Sequence, residues 1–294
     1  MNKGVLYALG AYGLWGTLPI YWKLLDHIPA VEILMHRTAW SLVFLSAILL
    51  VREGKAMFQA MMAHRKAVGL YALAATLLMV NWGVYIWGVN SGFIVETGLG
   101  YYINPLVSVL LGVIVLGERL RRLQWVAVGT AGVGVLYLTL TYGRVPWIAL
   151  TLAFSFAIYA LLKKKAPLKA LPGLTLETAI LTPAAIAYLI WLEAQGTASF
   201  GHVDANTTLL LGLTGVATAT PLLFFSAAAQ HISLSLLGIM QYMAPTIQII
   251  IGVWLYGEDF SADRIIGFCF IWVAVAIYAT EQLRHYQRTK AATA

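Results

Sequence analysis

The chain has 294 residues, of which 61% are hydrophobic and only 11% are Asp, Glu, Lys or Arg, against roughly 25% charged in soluble proteins. A mean hydropathy of +0.80 means more apolar side chain than one core of this size can hide, so the remainder must face lipid, which excludes a soluble enzyme, a nucleic-acid-binding module and a disordered regulator. The net charge of +7 comes in short basic blocks between long apolar runs, the pattern of cytoplasmic membrane loops. Windows of about 19 residues predict ten membrane-spanning helices, at 4–24, 30–51, 67–89, 97–116, 124–141, 146–163, 175–193, 207–228, 233–255 and 263–283. The first run holds Pro19 and no small-x-small cleavage site, so a retained helix is expected rather than a signal peptide. The runs are continuous and rich in Leu, Ala and Gly rather than alternating, which argues against a β-barrel. The longest connections, 52–66 and 194–206, are too short for a folded domain. Cys269 is the single cysteine, so no intrachain disulfide or Cys-based zinc site is expected, and no cofactor or metal.

The basic residues set the expected orientation. Lys3; Arg52, Lys55, Arg65 and Lys66; Arg119, Arg121 and Arg122; Lys163, Lys164, Lys165 and Lys169; and Arg284, Arg288 and Lys290 fall in the terminal segments and even-numbered connections, fifteen of the nineteen Lys and Arg. The odd-numbered connections hold only Lys23, Arg144 and Arg264. Both termini are therefore expected to be cytoplasmic.

A shift of 140 lays Tyr101–Leu120 over Gln241–Phe260, matching Tyr102 with Tyr242, Pro105 with Pro245, Gly112 with Gly252, and Gly117-Glu118 with Gly257-Glu258; a shift of 145 pairs Glu32 with Glu177. The chain thus reads as an all-α polytopic membrane protein of two five-helix repeats, 1–142 and 143–294. Five is odd, so the repeats have opposite topology. The charges agree: Arg119, Arg121 and Arg122 follow the first Gly-Glu, Asp259 and Asp263 the second. Inverted repeats are the usual build of secondary transporters, with a site near the bilayer midplane; the competing reading is an old duplication with no role in transport.

Gly4–Lys23 (GVLYALGAYGLWGTLPIYWK), Glu32–Trp40 (EILMHRTAW), Asn81–Asn90 (NWGVYIWGVN), Gly98–Gly117 (GLGYYINPLVSVLLGVIVLG) and Glu118–Trp125 (ERLRRLQW) resemble the RarD family, a branch of the EamA-type permeases in the drug/metabolite transporter superfamily. The second half agrees through Phe154–Lys165 (FSFAIYALLKKK), Thr220–Leu223 (TPLL), Leu234–Pro245 (LSLLGIMQYMAP) and Tyr256–Glu258 (YGE). The resemblance covers nearly the whole chain. It implies a ten-helix, two-repeat carrier in a bacterial inner membrane with a central cavity between the halves. Its common label, chloramphenicol-sensitive protein, leaves the solute open.

Polar groups inside apolar spans are costly in hydrocarbon and face a cavity or a partner helix. Tyr101, Asn104 and Ser108 share one face of the fourth span beside Pro105, and Gln241 and Gln248 flank Pro245 on the repeat-equivalent face; Asn81 with Tyr85, and Ser155 with Tyr159, stand four apart. The expected substrate-binding set is Asn81, Tyr85, Tyr101, Asn104, Tyr159, Gln241, Tyr242 and Gln248; the alternative is that these groups glue helices together. Tyr12, Trp15 and Trp82 offer faces on which a planar solute could stack. His36, Arg37 and Glu177 are the expected coupling groups, able to carry a proton or hold an ionic solute. Against that stands a structural reading in which Glu32 and Glu177 cap helix starts and Arg37 pairs with a carboxylate or carbonyls. Glu96 reads as a helix-start carboxylate, and each Gly-Glu as a helix end whose Glu caps the next helix.

The expected function is movement of a small metabolite or drug-like solute by alternating access, with proton coupling through His36 as one possibility. A passive facilitator or channel is the alternative, but no selectivity-filter-like loop is visible. A membrane enzyme ranks lower, because the six histidines are scattered and neither HExxH nor GxSxG occurs. The expected partners are the solute and membrane lipid, without nucleic acid; the oligomeric state is left open.

Overall fold

The computed structural model describes residues 2–63, 65–91, 93–143, 145–257 and 262–292. They form α1 (Lys3–Lys23), α2 (Ala30–Ala63), α3 (Arg65–Asn90), α4 (Ile94–Leu116), α5 (Arg122–Tyr142), α6 (Trp147–Lys165), α7 (Ala170–Ala194), α8 (Ala205–His231), α9 (Leu234–Gln241), α10 (Met243–Ile250), a π-helical turn (Ile251–Leu255) and α11 (Ala262–Ala292). Nine stretches among the described residues are long and apolar enough to cross a membrane; α1, not one of the nine, has the length for a crossing with its 21 residues and takes the tenth place in the two-repeat fold. Gly54, at φ 70°, breaks α2, so its crossing is Ala30–Arg52.

Local chemistry sets the helix ends. Asn2 accepts from Gly4 N at 2.9 Å, Asp204 from Thr207 N at 2.9 Å and Ser233 from Leu236 N at 3.2 Å, capping α1, α8 and α9. Gly117 closes α4 in the left-handed conformation at φ 66°. Lys163, Lys164 and Lys165 occupy the last turn of α6, where the helix dipole favours cations.

Two boundaries differ from expectation. The ninth crossing is one predicted helix but forms three segments, α9, α10 and the π turn. Pro245 cannot donate to the carbonyl four residues back, at Gln241, so the ladder breaks there. The equivalent Pro105 leaves α4 continuous. Helix α7 begins at Ala170, five residues before its expected start, which puts Glu177 about two turns inside the helix and corrects its reading as a helix-start cap.

The packing shows how the repeats interlock. Under the duplication α1, α2, α3, α4 and α5 correspond to α6, α7, α8, α9–α10 and α11. The contact of α1 with α8 has its image in α6 with α3, that of α1 with α10 in α6 with α4, and that of α2 with α8 in α7 with α3; α2 with α7, α4 with α9 and α5 with α11 are their own images. Each half therefore buries its helix faces chiefly against the other, around an inverted pseudo-twofold. Small residues permit the approach. A Cβ on Gly238 of α9 would lie 2.8 Å from Pro105 O of α4, and one on Gly134 of α5 3.0 Å from Gly267 O of α11. Because successive crossings reverse direction, the turn joining α1 and α2 lies at one end of the bundle. The turn joining α6 and α7, with the other basic connections, lies at the opposite end.

Candidate solute cavity

A cavity of about 400 Å³ lies between the halves, running from mid-depth toward the α1–α2 end. Its walls are helix faces repeating every three to four residues: Tyr12, Trp15, Pro19 and Trp22 of α1; Ala30, Ile33 and Arg37 of α2; Asn81, Trp82 and Tyr85 of α3; Gly100, Tyr101 and Asn104 of α4; Leu152 and Phe156 of α6; and Gln241, Ala244, Pro245 and Gln248 of the broken crossing. Six of the eight expected substrate-binding residues line it: Asn81, Tyr85, Tyr101, Asn104, Gln241 and Gln248. Several also hold the bundle together. Asn81 Nδ2 donates to Leu152 O and Ser155 Oγ, each at 2.9 Å, Asn104 Nδ2 to Ala153 O at 3.1 Å, and Gln248 Nε2 to Trp15 O at 3.1 Å. Asn81, Asn104 and Gln248 thus serve both as cavity wall and as helix glue. The Tyr85 and Tyr101 rings meet edge to face at 6.1 Å, and Gln241 makes no hydrogen bond to a described residue.

Tyr159 and Tyr242 lie off the cavity, contrary to expectation. Tyr242 follows Gln241 by one residue, about 100° around the helix axis, and its hydroxyl donates to Tyr102 O at 3.0 Å. Tyr159 is a turn deeper than Ser155, wholly buried, and donates to Glu177 Oε2 at 3.1 Å. The other Glu177 oxygen accepts from Lys163 Nζ at 2.8 Å, and Lys163 and Glu177 are only 0% and 1% exposed. Lys163 also stands 5.3 Å from the Tyr71 ring centroid and 5.8 Å from that of Tyr159. With the Tyr12, Phe156 and Phe225 rings, and Tyr12 OH donating to Leu237 O at 3.0 Å, this group closes the bundle toward the α6–α7 end.

Of the expected coupling groups, only Arg37 reaches the cavity. Its guanidinium lies between the Trp22 and Trp82 rings, 4.8 Å from each centroid, and Nε donates to Thr218 Oγ1 at 2.8 Å. It forms no ion pair with a described carboxylate; its partners are a hydroxyl and two rings rather than the carboxylate or carbonyls of the alternative structural reading. His36, its neighbour, points away and stacks on Phe200 at 5.0 Å, with Nε2 3.9 Å from Glu32 Oε1.

Glu32, Glu96 and Glu118 serve backbone donors of other segments. Glu32 accepts from Ser199 N at 2.6 Å and Ser199 Oγ at 2.9 Å. Glu96 accepts from Ile148 N at 2.7 Å, at the start of α6. Glu118 accepts from Leu234 N at 2.6 Å and Ser235 N at 2.9 Å, which corrects the expectation that it caps α5: it caps α9, in the other half. Its counterpart Glu258 lies outside the described residues. The sequence reading missed Trp22 and Lys163 as site residues, although Tyr12, Trp15, Pro19 and Trp22 follow one α1 face.

Ten crossings in two inverted, interlocked halves around a polar and aromatic cavity define a membrane carrier fold. The family model for EamA-like transporters matches twice, at residues 2–140 and 145–280, and the chain belongs to that family. It is 48% identical over 290 residues to Protein RarD of Streptomyces exfoliatus, covering 99% of this chain and 92% of that one. It is 44% identical over 292 residues to the uncharacterized transporter YojE of Bacillus subtilis, covering 98% and 97%. A solved crystal structure superposes with a TM-score of 0.71 at 18% identity, covering 94% of this chain and 97% of that chain, a likeness of fold alone. The protein is a bacterial multi-pass membrane transporter of the EamA/RarD type.

Proposed function

We propose that the protein moves a small organic solute across the bacterial inner membrane by alternating access, with the cavity as the solute site and both termini cytoplasmic. One observation carries the reading: the cavity extends from mid-depth toward one end only, while the other is closed by packed aromatics and a buried ion pair. A channel needs a path through both ends at once, whereas a carrier needs one closed end at a time. Since the closed end carries the basic connections, this is the outward-facing state. Of the expected coupling groups, Glu177 is the one built into the closure. Protonating it removes one charge of its pair with Lys163 and lowers the cost of opening that end.

The test is labelling of Ala244→Cys, a cavity-wall position, in a Cys269→Ala background with a membrane-impermeant maleimide. Rapid reaction from the external side and slower reaction from the cytoplasmic side are expected. Labelling from the cytoplasmic side alone, or from neither, overturns the reading.

A further inference from the structure

Among the described residues Arg37 is the single charged side chain on the cavity wall, and a cation at membrane depth is expensive unless something answers its charge. The protein supplies only part of that answer. Two indole faces at 4.8 Å flank the guanidinium, and Thr218 takes the Nε hydrogen. Among the described residues no carboxylate pairs with it and no further hydrogen bond uses its Nη groups. The two rings hold the guanidinium in place while its Nη groups, the N–H donors that can match a carboxylate in two-pronged fashion, make no hydrogen bond to a described residue. The neutral Tyr85 and Tyr101 hydroxyls are close enough to interact with the guanidinium, and elsewhere the wall offers the Gln241 amide and the flat rings of Trp15 and Phe156.

We infer that the transported solutes are organic monoanions, a carboxylate on a flat unsaturated body, with Arg37 as the carboxylate receptor. This rests on the cavity being the solute site. The missing counter-charge is then brought by the solute, and its body stacks on the aromatic wall. A volume of about 400 Å³ lies near the low end of the roughly 300–1,000 Å³ of small-molecule pockets, which suits a compact acid. The charge pattern also selects against other solutes. No described lining residue is acidic, so an ammonium group would meet Arg37 without a compensating carboxylate from the described wall. Cations are excluded, and zwitterions bind worse than the corresponding anions.

The test compares four probes by thermal shift and calorimetry on the purified full-length protein: cinnamate, its neutral isostere cinnamamide, the cation cinnamylamine and the zwitterion phenylalanine. Cinnamate should bind on the order of ten- to a hundredfold more tightly than cinnamamide, the ratio expected for a charge-assisted hydrogen-bonded pair, with cinnamylamine weakest. Arg37→Met should abolish the preference for the acid over the amide, and Arg37→Lys should keep part of it. If cinnamamide, cinnamylamine or phenylalanine binds the parent protein as well as cinnamate does, the receptor assignment fails while the cavity stands as a binding site. Binding by none of the four also overturns the assignment. The carrier reading is judged separately, by side-dependent labelling of Ala244→Cys, so the two failures are distinguishable.

Discussion

The closed end can be unlocked by one substitution. Lys163 and Glu177 are 2.8 Å apart and almost wholly buried, with Tyr159 on the second carboxylate oxygen. Lys163→Met leaves the carboxylate buried with only that phenol, and removing one partner of a buried pair costs about 3–5 kcal/mol. In a state open at this end Glu177 is hydrated, so the whole cost falls on the closed state. At about 1.4 kcal/mol per factor of ten, the ratio of open to closed should rise by roughly two to three orders of magnitude. Lys163→Met combined with Glu177→Gln removes both charges and should return the ratio to near the parental value, because replacing a buried pair by neutral groups is often close to neutral. The assay is the maleimide reactivity of Ser226→Cys in a Cys269→Ala background. Ser226 is wholly buried in α8 beside the Phe225 of the closure, and its reaction rate follows the open fraction. The single variant should react about a hundredfold faster from the cytoplasmic side, and the double variant at nearly the parental rate. Equal rates in parent and single variant, with both folded by thermal melt, refute the locking role; so does a double variant as fast as the single.

Glu118→Ala strips Leu234 N and Ser235 N of their acceptor and should destabilise the protein by about 1–3 kcal/mol, read as a lowered melting temperature in detergent that Glu118→Gln partly restores. Flux driven by an imposed pH gradient in proteoliposomes should persist in His36→Gln, whose ring packs on Phe200 outside the cavity. It should be lost in Glu177→Gln, whose carboxylate faces Lys163 and Tyr159 of α6 and Tyr71 of α3. The opposite pattern assigns the proton to His36.

The number of crossings, the duplication and the asymmetry of basic residues were legible because each rests on long-range averages of composition. The polar walls were legible for a related reason: Asn81 with Tyr85, Tyr101 with Asn104, and Gln241 with Gln248 follow helical spacing, and an apolar span makes any polar face conspicuous. Pairings between helices were not legible. Lys163 reads as the first of three loop lysines until α7 begins five residues early and brings Glu177 to it. Arg37 and His36 read as members of one set of coupling groups, but one residue along a helix is a turn of about 100°. That angle sends Arg37 to the cavity and His36 to Phe200. Pro105 and Pro245 read alike, and only the second stands beside a break in its helix.

The departures from the duplication locate the chemistry. The shift that pairs Glu32 with Glu177 also sets His36 against Leu181 and Arg37 against Thr182, so the first copy carries charge where the second does not. The two glutamates have diverged in use: Glu32 is answered by the Ser199 backbone and hydroxyl, Glu177 by an ion pair. If the halves exchanged conformations with perfect symmetry, the inward- and outward-facing states would be equal in energy and a solute would bind both alike. Here Glu177 is paired with Lys163 at one end, whereas Glu32 is bonded to Ser199 and stands 3.9 Å from His36 Nε2, so losing one charge of the Lys163–Glu177 pair would act on one end alone. Arg37 is bonded to Thr218 of α8 and so bridges the two halves. A ligand shifts such an equilibrium only through its differential affinity for the two states. An anion seated on Arg37 gains that difference wherever the exchange moves α2 against α8, because the guanidinium must then keep or lose Thr218 while the solute is bound. On the proposed cycle, charge on one side of an otherwise symmetric scaffold would link solute recognition to the change of access.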